Sequence, residues 1–317
     1  MGRIINNYFK NSTKSVGFFV FLDSWHFLDY TETDMKTLIL GSQGGLGTQL
    51  IKIFAAPDLL TWDKAEADFL NIPDLLVKLD IAKPDVVINA VAYNAVDKCE
   101  TDPEELDIAL KLNFDLPRAL AQWCDTNKAT LIHYSTDYVF SGSLDKSEFV
   151  ETDATNPINK YGETKAMGEK AILDYPNLKY YIIRLSKLFG PKGSSAHTKA
   201  SFFDIMLNLA QTNSELKVVD EELSCFTYSP DLAEATYQLL NEKYEPGIYH
   251  LTNSGSCTWY EGVLALKELA GLTVEVKPIL GADLKRAARR PEFSVLKNTK
   301  FPALRNYQEA LKEYLNK

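Results

Sequence analysis

Thr37-Leu38-Ile39-Leu40-Gly41-Ser42-Gln43-Gly44-Gly45-Leu46-Gly47 is the stretch that decides the fold. Its first four residues are a continuous apolar run, as a strand buried on both faces requires. Gly41, Gly44 and Gly47 then give the spacing G-x-x-G-x-x-G ahead of a helical pattern from Thr48 to Phe54. Residues without side chains let the backbone turn tightly and approach a pyrophosphate, whose charge sits at the N-terminus of the following helix. A glycine repeat alone is a weak signal and fits a plain tight turn. Between a strand and a helix it points to dinucleotide binding.

The same rhythm continues outward. A second strand is expected at 58–62, ending at Asp63, where an acid can hold an adenosine ribose hydroxyl and favour NAD over NADP. A surface aspartate reads equally well there. Asp68-Phe69 follows, then a helix at 72–82 and a buried strand at 86–89. The loop 90–97 leaves that strand at its C-terminal end, which faces the ligand crevice of an open parallel sheet. Residues 103–127 read as a long amphipathic helix or a pair, with Asn113 and Pro117 inside and Pro117 able to kink it. The fourth strand is 129–135, with His133 expected as a satisfied core histidine rather than a ligand. The fifth is 180–185.

This alternation predicts an α/β Rossmann domain over 35–185, a right-handed, doubly wound parallel sheet. Residues 186–317 are expected to form mainly a smaller C-terminal substrate-binding lobe, with some segments returning to the Rossmann domain. Helices are expected there at 199–210, 230–240, 259–270 and 307–315, and strands at 247–251 and 273–277. Residues 1–34 stand apart, as a loose extension or the product of an upstream start, with an aromatic-rich docking arm as the sharper alternative.

Composition narrows the class. The 317 residues carry 43 acidic and 34 basic side chains, a net charge of −9, which argues against nonspecific binding to nucleic acid or to an anionic membrane surface. The early apolar run 16–22 is too short to span a bilayer. Cys99, Cys124, Cys225 and Cys257 form no C-x-x-C pair, and no histidine stands at zinc-finger spacing. They read as reduced thiols of a cytoplasmic protein, with no metal site.

The chemistry centres on Tyr161-Gly162-Glu163-Thr164-Lys165 at a helix start. Residues four apart share a helix face. A free phenol has a pKa of about 10, and a nearby ammonium brings it toward working pH. At the crevice edge Thr136 and Tyr161 would bring two hydroxyls near a nicotinamide, with Lys165 reaching its ribose. Tyr161 would give a proton to a carbonyl oxygen as it becomes an alcohol, and Thr136 would stabilise charge on that oxygen. Asn113 is either a helix-opening amide serving a proton relay or a helix-surface amide.

These residues resemble the extended short-chain dehydrogenase/reductase family and, within it, the dTDP-4-dehydrorhamnose reductase (RmlD-like sugar-nucleotide-binding) family. The resemblance runs from about Met35 to the C-terminus. It is carried by the glycine turn, by Val87-Ile88-Asn89-Ala90-Val91-Ala92-Tyr93 with Val96-Asp97-Lys98, and by Ser135-Thr136-Asp137-Tyr138-Val139-Phe140. Pro157-x-x-x-Tyr161-Gly162-x-Thr164-Lys165, Arg184-x-Ser186 and Arg290-Pro291-x-x-Ser294 add to it. The resemblance implies catalytic roles for Thr136, Tyr161 and Lys165. It implies NADPH or NADH at Gly41, Gln43, Gly44, Leu46, Gly47, Asp68, Phe69, Ala90, Ala92, Tyr93, Tyr161 and Lys165. It also implies a nucleotide-linked 4-keto-6-deoxy sugar at Asn94, Val96, Thr136, Asp137, Tyr138, Lys187 and Arg290, and a homodimer as in some relatives. Arg290 can alternatively tie down the C-terminus through a carbonyl or carboxylate contact.

The pattern breaks on the substrate side. Lys187 stands where the family usually has a tryptophan, which suggests an acidic sugar or phosphate as its partner, and Ser224-Cys225-Phe226-Thr227 keeps only the threonine of a Gly-x-Pro-Thr element. A nucleotide-sugar epimerase, and a non-catalytic regulatory subunit like the methionine adenosyltransferase beta subunit, are the alternatives. The dehydratases' Asp-Glu pair is missing after Thr136.

Overall fold

The computed structural model describes residues 35–142, 147–195 and 198–316. The expectations for residues 1–34 therefore lie outside the described residues. Contacts group Met35–Lys317 as one unit.

The core is a six-stranded, all-parallel sheet: β1 (Thr37–Leu40), β2 (Leu60–Trp62), β3 (Val86–Asn89), β4 (Thr130–Thr136), β5 (Tyr180–Leu185) and β6 (Gly247–His250), in spatial order β6-β5-β4-β3-β1-β2. The central strands are apolar throughout because each pleat face meets helices. Ile39, Val86, Ile88, Ile132, Tyr181 and Ile183 face α1 (Gly45–Ile53) and α8 (Ser229–Asn241), through Leu46, Leu50, Leu232 and Leu239. Leu38, Leu40, Val87, Leu131 and Ile182 face α2 (Ile72–Ala82), α5 (Leu116–Asn127) and α6 (Lys160–Leu173). The doubly wound fold follows from this alternation.

β1 pairs with both β2 and β3, so the connections leaving β1 and β3 depart in opposite directions. That switch point opens the crevice in which open α/β sheets bind ligands. The segment 103–127 is neither one helix nor a simple pair. It runs as α4 (Pro103–Leu110), a π-helical turn at Lys111–Asp115 and α5, after the short α3 (Val96–Thr101).

Beyond β5 the chain does both things expected of it. β6 and α8 return to the sheet. The rest, with α7 (Phe202–Thr212), α9 (Trp259–Leu269) and α10 (Tyr307–Leu315), gathers around its own cluster of Phe189, Phe203, Phe226, Tyr228 and Tyr307, and the parallel pair Glu215–Val219 and Glu275–Ile279 packs on α9 through Leu216, Val218 and Val263. The final helix falls at the residues expected, while the 273–277 strand lies later, at Glu275–Ile279.

Candidate active site

The glycine turn is built as a cradle. Gly41 takes φ +77°, and a Cβ on Gly47 would stand 2.1 Å from Gly41 O, so α1 begins directly against the turn. The N-cap Gly44 provides no side-chain cap, and the first turn of α1 holds no acid. The free N–H groups of that turn form the anion site a pyrophosphate requires. Leu46 turns its side chain into the sheet core, so only its backbone belongs to this cradle.

Asp63 ends β2 as expected, and its carboxylate closes the turn itself, accepting Gln43 N–H at 2.9 Å and Lys64 N–H at 2.8 Å. Asp68 is exposed and accepts Leu70 N–H at 3.0 Å, while Phe69 is buried beside Leu38 and Leu40. On the other wall, Ala90 N–H reaches Leu40 O at 3.0 Å. Ala92 and Asn94 are exposed, and Val96 opens α3 half-buried. Asn94 Oδ1 accepts Lys199 Nζ at 3.1 Å.

Asn113 is buried, at the centre of the π turn. Its Oδ1 accepts Tyr93 N–H at 2.9 Å, and its Nδ2 donates to Tyr93 O and to Thr164 Oγ1, both at 3.0 Å. The helix-surface reading of Asn113 is therefore corrected: it pins the crevice loop to α6. The widened turn supplies the room, as π turns often do at functional sites. Tyr93 donates its phenol to Glu105 at 2.5 Å, and Glu105 also holds Lys98.

Thr136 closes β4, and Tyr161 enters α6, whose N-cap Asn159 accepts Gly162 N–H at 2.8 Å. The Tyr138 and Tyr161 rings meet edge to face at 5.8 Å. Burial raises the Tyr161 phenol above its ordinary value, and the adjacent Thr136 hydroxyl opposes that shift without reversing it. Lys165 contributes nothing to lowering it. Its Nζ donates to Tyr134 O at 2.6 Å and meets His133 Nε2 at 3.3 Å, and burial pushes its own pKa down to about 8. The expected lowering of the phenol by Lys165 is thus not found: the lysine Nζ is engaged by Tyr134 O and His133, and burial dominates the phenol. The phenol is instead held protonated at neutral pH.

The sequence reading missed what surrounds this group. Asp137 is buried and gathers hydroxyls from three segments: Ser294 at 2.6 Å, Ser186 at 2.8 Å and Thr136 at 3.1 Å. Burial raises its carboxyl, against these hydroxyls. Glu169 and Arg184 form an ion pair at 2.7 Å with both side chains 2% exposed, and Ser135 donates to Glu169 at 2.5 Å. The parallel register of β4 and β5 puts Ser135 beside Arg184. Ser186, Ser294 and Arg184 stand within the motifs quoted above, so a signal existed. Their partners required the fold.

Arg290 and Lys187, like Asp137 and Asn94 above, are expected substrate contacts that are engaged by protein. Arg290 reaches Asp97 at 2.7 and 3.1 Å and Ala288 O at 2.8 Å, which fits its reading as a tie for the C-terminal segment. Lys187 Nζ donates to Cys257 O at 2.9 Å and Glu222 O at 3.1 Å, over the Trp259 ring at 4.4 Å. Its φ of +39° is left-handed, a cost of about 1–2 kcal/mol for a residue with a Cβ, which these contacts offset.

Comparison with known proteins fits this geometry. The family model for the RmlD substrate binding domain matches residues 35–317. The chain belongs to the RmlD family. RmlD-family relatives match it nearly end to end. The dTDP-4-dehydrorhamnose reductase of Escherichia coli K12 is 34% identical over 302 residues, covering 89% of this chain and 97% of that protein. The spore coat polysaccharide biosynthesis protein SpsK of Bacillus subtilis is 33% identical over 286 residues, covering 88% and 96%. Among solved structures, the dTDP-4-dehydrorhamnose reductase of Bacillus anthracis, solved in complex with NADP, superposes with TM-score 0.81 at 30% identity, covering 89% of this chain and 99% of that one. The UDP-glucose 4-epimerase of Thermus thermophilus, at 18% identity and TM-score 0.72, shares the Rossmann fold.

Proposed function

We propose that this RmlD-family protein is an NAD(P)H-dependent reductase of a nucleotide-linked 4-keto-6-deoxy sugar, as in the conversion of dTDP-4-dehydrorhamnose to dTDP-L-rhamnose. The observation that carries the reading is the position of Thr136 at the end of β4 and of a protonated Tyr161 in the first turn of α6, on the crevice edge where the uncapped glycine turn leaves β1. The residues present fit a dinucleotide. The glycine cradle and the first turn of α1 hold its pyrophosphate, and the loop 90–93, fixed by Asn113, lines the nicotinamide half. When bound, the reduced nicotinamide supplies a hydride to the sugar C4.

The protein supplies the rest. Tyr161 gives its phenolic proton to the C4 oxygen, so that the carbonyl becomes a secondary alcohol. Thr136 now donates to Asp137; swung to the sugar oxygen, that hydroxyl stabilises the negative charge developing there. Asn94, Val96 and Tyr138 edge the space left for the sugar, and Arg290 and Lys187 shape it through Asp97 and Trp259. We also assign the working form as a homodimer in the cytoplasm; among the described residues no helix is long and apolar enough to cross a membrane.

The test is NADPH and NADH oxidation by the purified protein against a panel of nucleotide-linked 4-keto sugars. Turnover should fall at least about a hundredfold in Tyr161→Phe, the usual worth of a positioned proton donor. Cofactor binding with no reduction of any panel member would sink the reductase reading in favour of a regulatory one.

A further inference from the structure

The glycine turn after β1 and the loop after β3 form two walls of the crevice, and neither carries a basic side chain. Residues 41–47 and 90–97 contain no lysine or arginine. A diphosphate lying between them would meet N–H dipoles and no cation from either wall.

A cation is brought there by the segment that leads into α7. A Cβ on Gly193 would stand 2.3 Å from Gln43 O and 2.6 Å from Gly44 C, so the backbone of this segment rests directly on the glycine turn. Ser195 N–H donates to Gln43 O at 3.2 Å, and Thr198 Oγ1 donates to the same oxygen at 3.4 Å. The next residue, Lys199, donates its Nζ to Asn94 Oδ1 at 3.1 Å, in the loop after β3. β1 and β3 are neighbours in the sheet. Two consecutive side chains of the C-terminal lobe therefore hold one wall each, and they bridge the switch point at which the sheet binds ligands.

The bond to Asn94 orients the ammonium without neutralising it, since an amide oxygen is an uncharged acceptor. The acids nearby have other partners. Glu105 feels the charge of Lys199, but its carboxylate is taken by Lys98 and by the Tyr93 phenol. Asp97 is bound by Arg290, and Asp63 by the N–H groups of Gln43 and Lys64. Lys199 and Asn94 are both exposed, so the ammonium can change partner without breaking a buried contact. A phosphate oxygen is the better partner, because it carries charge.

We propose that Lys199 is a diphosphate-binding residue, whose ammonium leaves the Asn94 amide for a phosphate oxygen of the ligand at the switch point. The proposal takes its ligand from the reductase reading, under which two diphosphates enter this crevice, the cofactor's and the sugar nucleotide's. Lys199 offers the same chemistry to both. The seating of Thr198 on the glycine turn favours the cofactor's.

Calorimetry on the full chain separates the two sources, with ADP-ribose standing for the cofactor's diphosphate half and dTDP for that of the sugar nucleotide. In Lys199→Met the affinity for ADP-ribose should fall about five- to tenfold, the range of one exposed hydrogen bond, with dTDP unchanged. The loss should shrink as salt is raised, because an exposed charge is screened. Lys199→Arg, which keeps the charge, should stay within about twofold of the native chain. A salt-sensitive fall confined to dTDP supports the diphosphate role and moves it to the substrate. Unchanged affinity for both ligands, or a loss that salt does not alter, overturns the proposal while native binding leaves the reductase reading standing. A native chain that binds neither ligand overturns both.

Discussion

Gly47 shows how finely the cofactor cradle is fitted. A methyl group there would stand 2.1 Å from Gly41 O and 2.8 Å from Ser42 C, both backbone atoms that cannot swing aside. Gly47→Ala should force α1 away from the turn at the cost of about 1–3 kcal/mol that overpacking carries. NADPH titration of the variant should show affinity weakened about tenfold or more, with the fold intact by circular dichroism; unchanged affinity would mean the pyrophosphate does not use this turn. The glycine requirement was legible from spacing alone. So was the pairing of Tyr161 with Lys165 on one helix face. What could not be read was where the ammonium goes. That depends on His133, read as a core histidine, and on Asn89, its register partner on the adjacent strand, 44 positions away in sequence. The sense of the Tyr161 shift was misjudged for the same reason: sequence spacing reports a neighbouring charge but not the burial that opposes it.

The elements carry their own lesson. The main strands were legible because burial on both faces leaves no polar alternation to confuse them. The 103–127 segment was only half legible. A π turn differs from an α turn by one hydrogen-bond step, and here it is selected by tertiary bonds from Asn113 to Tyr93 and Thr164. Packing of α6 on the sheet creates the Glu169–Arg184 pair, joining α6 to β5, and the β4–β5 register brings Ser135 beside it. Arg184 Nη1 further reaches His250 Nε2 at 3.3 Å on the paired β6. Arg184→Met would leave Glu169 charged and unpaired in a place 2% exposed. Urea unfolding should show a loss of about 3–5 kcal/mol, the cost typical of breaking one side of a buried pair. A loss below about 1 kcal/mol, the range of an exposed pair, would contradict the burial described here.

At the scale of the whole molecule, the return of β6 and α8 to the sheet ties the late chain to the early one, so the C-terminal lobe is anchored to the crevice it edges. Contacts group Met35–Lys317 together, and the same residues match the family model. A protein made of residues 35–317 should therefore melt within a few degrees of the full chain and bind NADPH equally. Insoluble or cofactor-free protein would give residues 1–34 a role that the fold does not require. The substrate side was least legible. Where Lys187 departs from the family pattern it gains partners, Trp259 and two carbonyls, that only the folded lobe brings near.

The central claim is that this site delivers hydride and proton to a sugar ketone, and isotope transfer tests it directly. The protein is given NADPH carrying deuterium on the transferable face of the nicotinamide, together with dTDP-4-dehydrorhamnose, and the product is read by NMR. The account predicts one deuterium at C4 of a 4-hydroxy sugar, formed by the wild type and suppressed at least about a hundredfold in Tyr161→Phe. A sugar returned without deuterium, or labelled equally by the wild type and Tyr161→Phe, would contradict it.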